Sequence, residues 1–231
     1  MPMQCSKQNM SSPVCGNNLK AGFLFDLDGV LIDSEKEYSK IWAQINNEFP
    51  SGVEHLEEKI KGCTLPKILD DHYPDPIIKE KVKKRLHELE SQMVYEYLPG
   101  AREFLVKLKE NNFPVALVTS SDNKKMEHLK EELPDIFDFF NFIVTGDLVK
   151  TSKPSPEGYL LGASKINRDI KKCVVFEDSL QGVKAGRNSG ALVVGVIGTL
   201  PKETLAPFSD ILVHNFNEID FDDILKTLAV R

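Results

Sequence analysis

The sequence predicts an α/β protein in which a doubly wound parallel sheet carries a smaller, inserted domain of helices. Three observations predict this fold class. Short apolar runs alternate with segments whose apolar residues have helical spacing, turn residues separate the runs from those segments, and residues 35–97 offer helical patterns without a convincing strand.

Six short apolar runs are the predicted strands. Each is bounded by turn residues, and a continuous apolar run is typical of a strand that is covered on both faces. In chain order the runs are 22–27, 114–119, 141–145, 173–176, 191–196 and 210–213.

Four segments between these runs have the spacing of helices, at 101–111, 123–132, 156–166 and 180–189. Strands that alternate with helices form crossover units. We therefore expect a parallel sheet with helices on both faces.

Residues 35–97 are predicted to form a small helical cap domain inserted after the first strand. Two apolar stripes at helical spacing support it, namely Tyr38, Ile41, Trp42 and Ile45, then Val82, Leu86, Leu89 and Met93. Pro99 and Gly100 mark the return to the sheet. Residues 20–34 and 98–231 then form the core domain, and residues 1–19 a flexible N-terminal tail.

Composition argues against several classes of protein. The chain has 231 residues, 41% of them hydrophobic, which is enough for a full-sized core. Its net charge of −6 argues against nucleic acid as a partner, because nucleic-acid-binding domains are usually basic. No apolar stretch reaches the roughly 18 residues of a membrane-spanning helix, and the N-terminus lacks the apolar segment of a secretory signal. We therefore expect a cytoplasmic protein without a membrane partner. We also expect a monomer.

The four cysteines are Cys5, Cys15, Cys63 and Cys173, and they form no C-x-x-C pair. This spacing argues against a disulfide framework or a zinc site, so we expect reduced thiols.

Two acidic residues follow the first apolar run. In the sequence FLFDLDGVLIDSE, Asp26 and Asp28 stand two positions apart, and residues i and i+2 of a strand point the same way. Neighbouring carboxylates need a cation or hydrogen-bond donors to offset their repulsion. Mg²⁺ suits such a place, because it binds carboxylates, water and substrate phosphate.

Polar residues also follow two other predicted strands. Thr119, Ser120 and Ser121 offer hydroxyls and backbone N–H groups to phosphate oxygens, and Glu177 and Asp178 are a second acidic pair. Ligands of open parallel sheets bind beyond the carboxyl ends of the strands. We therefore expect these residues to meet the first acidic pair at one edge of the sheet and to complete a magnesium site.

Lys153 stands in the loop TSKPSPEGY, which Pro154 and Pro156 hold, and from there its ammonium can reach a phosphate. Taken singly, each feature also has a structural interpretation, since Asp26 or Asp178 can cap a helix or form a turn and Lys153 can lie in solvent. Acids after two strands, hydroxyls after a third and a following lysine together favour a phosphate site.

The order of these motifs resembles that of the haloacid dehalogenase superfamily. DLDGVLIDSE is similar to its first motif, VTSS to the second, KPSPEGY to the third and FEDSLQGVKAG to the fourth, and the resemblance covers about residues 20–215. The resemblance is to the subfamily that contains β-phosphoglucomutase and small sugar-phosphate phosphatases. It implies a Rossmann-like core with a helical cap, and a Mg²⁺-dependent phosphatase or phosphomutase that acts on a small phosphorylated metabolite.

The resemblance also implies a role for each motif residue. Asp26 is the nucleophile that accepts the phosphoryl group, and Asp28 is the general acid and base. Thr119 and Lys153 hold the phosphoryl oxygens. The implied metal ligands are Asp26, the backbone carbonyl of Asp28, Asp178 and, directly or through a neighbouring ligand, Glu177.

Four further residues are expected at the phosphate or the substrate. Ser120, Ser121 and Asn123 would add hydrogen bonds, and Gly29 would allow a turn that brings the backbone close to the phosphate.

Other activities of the superfamily fit less well. A dehalogenase has no need of Asp28 or of the pair Glu177 and Asp178. A catalytically idle relative would be expected to have lost Asp26, Asp28 or Lys153, and all three are present.

A phosphatase is favoured over a mutase, which stays the alternative. β-Phosphoglucomutase carries a His in the first cap helix where this chain has Tyr38, and an Arg in the cap loop where this chain has Leu65. A mutase must hold a second phosphate, so these differences argue against one.

The cap would set the specificity. Its loop KGCTLPK either contacts the substrate or only connects two helices. The candidate residues for contact with the leaving group are Tyr38, Lys61, Cys63, Thr64 and Lys67. Sugar, sugar-alcohol, nucleotide-like and other small phosphate esters all stay open as substrates.

Overall fold

The fold is a six-stranded sheet with helices on both faces, seen in a computed structural model that describes residues 20–230. The predicted tail, residues 1–19, lies outside the described residues. The strands are β1 (Gly22–Phe25), β2 (Val115–Val118), β3 (Phe142–Val144), β4 (Cys173–Glu177), β5 (Leu192–Val196) and β6 (Ile211–Val213). All pairs are parallel, in the order β3-β2-β1-β4-β5-β6.

The predicted fold class and all six predicted strands are confirmed, with small shifts at the strand ends. The first run is predicted to reach residue 27, but β1 ends at Phe25 because the chain turns there. The carbonyl of Leu27 accepts hydrogen bonds from the N–H groups of Leu31 and Ile32 at 2.9 and 3.1 Å. By contrast, β4 extends one residue further than predicted, to Glu177, which pairs with Gly195 of β5.

Helices connect the strands throughout the described residues. The α-helices are α1 (Glu35–Glu48), α2 (Leu56–Lys59), α3 (Leu65–His72), α4 (Pro76–Glu90), α5 (Ala101–Glu110), α6 (Asn123–Glu132), α7 (Glu157–Lys165), α8 (Leu180–Ser189), α9 (Lys202–Leu205) and α10 (Phe221–Ala229). Short 3-10 segments lie at Pro134–Phe139, Gly146–Leu148, Ile170–Lys172, Ala206–Phe208 and Phe216–Glu218. The four helices predicted between strands are confirmed as α5 to α8.

Side-chain caps fix the start of two helices beside the sheet. The Asp122 side chain accepts from the N–H of Lys125 at 2.9 Å at the start of α6, and the Ser179 hydroxyl accepts from the N–H of Gly182 at 3.0 Å at the start of α8. Since α6 follows β2 and α8 follows β4, these caps hold the loops that leave both strands.

The side chains of β1 alternate between two apolar clusters, one on each face of the sheet. Phe23 and Phe25 lie in one cluster, where the ring of Phe25 stacks on Phe176 with 4.6 Å between centroids. Leu24 lies in the other cluster, with Tyr159 of α7. The same alternation directs Asp26 to the face of Leu24 and Tyr159.

Residues 35–97 contain α1 to α4 and none of the six strands. Most members of the two predicted stripes are buried, including Trp42 and Leu86. Met93 is buried too, but it lies beyond the end of α4 rather than on that helix, which corrects the second predicted stripe. The division of the chain into a core and a cap domain stays a prediction.

Two further expectations concern membranes and cysteines. Within residues 20–230, no helix combines the length and apolar character that crossing a membrane requires. Cys63 and Cys173 are free thiols, and the other two cysteines lie outside the described residues.

Candidate active site

Three acidic side chains meet at the carboxyl ends of β1 and β4. The two strands are neighbours with Phe25 opposite Phe176, and the N–H of Asp26 donates to the Phe176 carbonyl at 3.0 Å. One carboxylate oxygen from each of Asp26, Glu177 and Asp178 lies within 4.8 Å of the others, and all three residues are buried. The structure thus brings members of both predicted acidic pairs to one place.

Lys153 places its ammonium between two of these carboxylates. Its Nζ atom lies 2.7 Å from Oδ1 of Asp26 and 2.5 Å from Oε1 of Glu177. Burial alone would lower the pKa of Lys153, but Asp26 and Glu177 outweigh burial and raise this pKa above its ordinary value. Lys153 is therefore a buried cation, at 7% exposure, and not a lysine in solvent.

Glu177 is held by donors on both carboxylate oxygens. Its Oε1 atom accepts from Lys153 and from the Tyr159 hydroxyl, the latter at 2.7 Å. Its Oε2 atom accepts from the N–H of Asp178 at 3.1 Å and from the N–H and hydroxyl of Ser179 at 3.3 and 3.1 Å. Glu177 therefore anchors Lys153, and its role as a direct metal ligand stays a prediction.

The three carboxylates suit a small divalent cation. Lys153 can offset one of their negative charges in a place that is largely closed to water. Burial raises the pKa of Asp26 to about 7, while Lys153 opposes that rise and Glu177 adds to it. A cation beside Asp26 and Asp178 would lower this pKa and favour the carboxylate, and oxygen ligands are those that Mg²⁺ prefers.

Gly29 forms the turn that follows β1. Its φ of 71° lies in the left-handed region that favours glycine, and its N–H donates to the Ile32 carbonyl at 2.9 Å. A Cβ atom here would lie 2.0 Å from Oδ2 of Asp178. The turn therefore requires glycine, and the group that approaches its backbone is the Asp178 carboxylate. The approach of this backbone to a phosphate stays a prediction.

Asp28 receives hydrogen bonds from three parts of the chain. Ser34, just before α1, donates to Oδ1, and Ser121 donates to Oδ2 at 3.2 Å. The ammonium of Lys125 in α6 lies 2.5 Å from the same Oδ2 atom. These contacts hold Asp28 in the wall of a pocket that Asp26 also lines.

The hydroxyl residues after β2 also line this pocket, with different partners. Oγ1 of Thr119 accepts from the N–H of Ser121 at 3.0 Å. Ser120 donates to the carbonyl of Gly62, in the loop before α3, at 2.9 Å. Ser120 therefore links the sheet to the inserted helices.

One pocket joins the acidic edge of the sheet to the inserted helices. Its empty volume is about 780 Å³, including the part that is open to solvent. Its lining from the inserted segment includes the polar residues Tyr38 and Glu90 and the apolar residues Trp42, Leu65, Ile68 and Leu86.

The loop KGCTLPK lies over this pocket. Lys61, Gly62 and Cys63 line it, as Tyr38 does, and a Cβ atom at Gly62 would lie 2.8 Å from Oγ of Ser179. Of the two interpretations of the loop, this position favours contact with the substrate.

Three predicted contact residues lie elsewhere. Thr64 lines a smaller neighbouring cavity, and Lys67 is exposed and pairs with Asp71 at 2.6 Å. The side-chain oxygen of Asn123 accepts from the Thr145 hydroxyl at 3.1 Å, on the exposed side of α6. The structure therefore does not bring Asn123 to the phosphate site, because its side chain binds the loop after β3.

Sequence reasoning missed Lys125 and Glu90. Both line the pocket, at 4% and 6% exposure. Charged residues of amphipathic helices normally face solvent, which is why the pattern did not single them out. Their positions in the sequence could have indicated that both side chains are buried. Lys125 directly precedes the buried Met126, and Glu90 lies four residues after Leu86, on the same helical stripe.

Comparisons with known proteins agree with this geometry. The family model described as haloacid dehalogenase-like hydrolase matches residues 23–196. A probable pseudouridine-5′-phosphatase of Saccharomyces cerevisiae is 37% identical over 75% of this chain and 80% of that protein. A phosphorylated carbohydrates phosphatase of Thermotoga maritima is 35% identical over 77% of this chain and 85% of that protein. The solved structure of β-phosphoglucomutase from Clostridium difficile is similar with a TM-score of 0.77, at 25% identity, over 92% of this chain and 100% of that one.

Proposed function

The chain belongs to the haloacid dehalogenase-like hydrolases and is a phosphatase or a phosphomutase, and on this premise we propose that it is a Mg²⁺-dependent phosphatase of small phosphomonoesters. The observation that carries the proposal is the buried pair of Asp26 and Lys153, with Nζ 2.7 Å from Oδ1, beside Asp178. Phosphoryl transfer depends mainly on positioning and on the neutralisation of charge, and this pair offers a nucleophile next to a cation.

The first proposed step forms an aspartyl phosphate. An oxygen of Asp26 attacks the phosphorus atom, and the bond between phosphorus and the ester oxygen breaks. Asp28 gives a proton to that oxygen, which leaves as an alcohol. Lys153 and Thr119 hold the phosphoryl oxygens during the transfer.

The second proposed step releases phosphate. Asp28, now a carboxylate, takes a proton from a water molecule whose oxygen attacks the same phosphorus atom. The bond from phosphorus to Asp26 breaks, so inorganic phosphate leaves and the free carboxylate of Asp26 is regenerated. One carboxyl group thus serves as acid and then as base.

We propose Mg²⁺ as the cofactor, held by Asp26 and Asp178 and by the predicted carbonyl of Asp28. When bound, it neutralises negative charge on the phosphoryl oxygens. Glu177 supports the site by holding Lys153 in place.

The wall contributed by the inserted helices favours a phosphatase over a mutase. A mutase must bind a second phosphate there, yet the hydroxyl of Tyr38 is hydrogen-bonded to Glu90 at 2.6 Å and Leu65 is apolar. Glu90 adds a buried acid to this wall, and its carboxylate opposes the binding of a phosphate dianion, although Lys61 and Lys125 line the same pocket. A mutase is the second candidate, because the fold is similar to that of the β-phosphoglucomutase described above.

The proposed substrate is a small phosphorylated metabolite with a sugar or a similar group. The names of the two similar phosphatases, for pseudouridine 5′-phosphate and for phosphorylated carbohydrates, support this class. We propose that the enzyme acts as a monomer, since Asp26, Lys153 and Asp178 of one chain already meet at the site.

A screen of phosphorylated metabolites tests the proposal. Free phosphate and isomerised product are scored in the same wells, with and without Mg²⁺. We expect Mg²⁺-dependent release of phosphate to exceed isomerisation. Conversion of β-glucose 1-phosphate to glucose 6-phosphate faster than phosphate release would instead favour the mutase.

A further inference from the structure

Lys125 is a buried ammonium in the pocket that the proposed reaction does not use. It lies in the first turn of α6 and is 4% exposed. An ammonium offers three N–H donors. Within residues 20–230, the acceptor found for them is Oδ2 of Asp28, at 2.5 Å. Because Lys125 lines the pocket, its other donors can serve a bound molecule.

Glu90 supplies an acceptor in the same wall. Its Oε1 atom accepts from the Tyr38 hydroxyl at 2.6 Å, and Nζ of Lys125 lies 4.0 Å from the centroid of the Tyr38 ring. Burial raises the pKa of Glu90, and the charge of Lys125 opposes that rise. A cationic donor, an acidic acceptor and a phenol thus form one cluster.

The position of this cluster beside Asp28 decides which part of a substrate it meets. In the proposed first step, Asp28 protonates the ester oxygen, so that oxygen lies within hydrogen-bond distance of the Asp28 carboxyl. The ammonium of Lys125 forms an ion pair with the same carboxyl group. The substrate atoms that reach Lys125 are therefore those just beyond the ester carbon.

Most other side chains of the inserted segment in this pocket are apolar, and Ser39, Glu57 and Lys61 are the polar or charged exceptions. Trp42, Leu65, Ile68 and Leu86 line it. A leaving group that fills the pocket therefore presents C–H groups to these residues and oxygen atoms to Lys125 and Glu90. Sugars and polyols present both C–H groups and oxygen atoms at their surface.

We propose that Lys125, Glu90 and Tyr38 form a subsite for leaving groups with oxygen substituents beside the ester, as in polyol and sugar monophosphates. Lys125 donates to the hydroxyl or ring oxygen on the carbon next to the ester carbon, and Glu90 accepts from a hydroxyl further along. The inference rests on the proposed phosphatase function and defines its substrate class. Alkyl and aryl phosphates leave these polar groups without partners and are therefore poorer substrates.

A purely structural role for the cluster makes a different prediction. His87 of α4 already contacts Asp122 of α6 at 3.0 Å, so Lys125 and Glu90 can add to a link between the same two helices. A structural link affects all substrates alike. A subsite affects those that carry the oxygen substituents.

Two matched pairs of esters distinguish these roles. One pair is glycerol 3-phosphate and n-propyl phosphate, and the other is ribose 5-phosphate and cyclopentylmethyl phosphate. We expect the wild type to prefer the oxygenated member of each pair by about tenfold or more in kcat/KM, and Lys125→Met to reduce that preference about tenfold. Glu90→Gln reduces it as well. Lys130→Met, at an exposed position of α6, leaves it unchanged.

The other outcomes would overturn either the subsite or the proposed phosphatase function. An equal loss on both members of a pair in Lys125→Met, or a wild type without preference, would overturn the subsite. No Mg²⁺-dependent turnover of any ester, p-nitrophenyl phosphate included, would overturn the proposed function itself. Thermal unfolding identifies a variant that does not fold, and Glu90→Gln then decides the question in place of Lys125→Met.

Discussion

Nζ of Lys153 lies 2.7 Å from Oδ1 of Asp26, although 127 positions separate the two residues in the sequence. The sheet explains this proximity, because β1 lies beside β2 and Nζ also donates to the carbonyl of Val118 in β2, at 3.4 Å. A carboxylate and a cation suited to phosphoryl transfer thus share one buried place.

Replacement of Lys153 by Met is expected to lower kcat by about 100-fold or more, because the charge that offsets the phosphoryl group is lost. It also leaves Asp26 and Glu177 without their ion-pair partner, which is expected to lower the free energy of unfolding by about 3–5 kcal/mol. Steady-state kinetics and urea unfolding measure the two effects. Lys172→Met, at an exposed position, is the control, and full turnover in Lys153→Met would contradict the assigned role.

Gly29→Ala and Gly52→Ala form a matched pair. Both glycines have a positive φ, of 71° and 78°. Alanine is therefore expected to cost about 1–2 kcal/mol of stability at each. A Cβ atom at Gly29 would lie 2.0 Å from Oδ2 of Asp178, whereas one at Gly52 would meet no atom within 4 Å.

We expect Gly29→Ala to lose Mg²⁺-dependent turnover by about tenfold or more, because Asp178 is displaced, and Gly52→Ala to keep it. Magnesium titrations of kcat measure the difference. Equal activity of the two variants would show that Gly29 does not position Asp178.

Glu177→Gln is expected to destabilise the protein although the two side chains have the same size. Both carboxylate oxygens accept hydrogen bonds, so the amide NH₂ group must face a donor, and the ion pair with Lys153 is lost. We expect the free energy of unfolding to fall by about 3–5 kcal/mol. Chemical unfolding beside the exposed control Glu103→Gln checks this, and unchanged stability would argue against the anchoring role.

Magnesium is expected to stabilise the folded protein, because the ligands come together only in the folded chain. At about 100 times its Kd, a ligand of the folded state adds about 2.7 kcal/mol. Asp178→Asn should remove most of this effect, and Asp222→Asn, at an exposed position of α10, should keep it. Thermal unfolding in chelator and in Mg²⁺ measures the shift. The same shift in wild type and Asp178→Asn would place the cation elsewhere.

The strands could be predicted because the sheet is covered on both faces. Every residue of β1 and of β5 is buried, so their sequences are continuous apolar runs. The helices α2 and α9 could not, because a helix of four residues is too short to show helical periodicity.

Some residues of the site could also be predicted from the sequence, and others could not. Asp26 and Asp178 could be predicted to meet, because parallel strands bring their carboxyl ends to one edge. Lys125 and Glu90 could not be predicted to line one pocket, because this depends on how α4 lies against α6. Asn123 shows the reverse case, because it is close to the second motif in sequence but its side chain turns to Thr145.

The central claim is that Asp26 accepts the phosphoryl group, and trapping the phosphorylated protein tests it most directly. The protein is quenched in acid during turnover with Mg²⁺, digested, and searched by mass spectrometry for a peptide that carries one phosphoryl group. We predict that group on Asp26 and its absence from Asp26→Asn protein. A phosphoryl group on another residue, or hydrolysis at the full rate by Asp26→Asn, would contradict the claim.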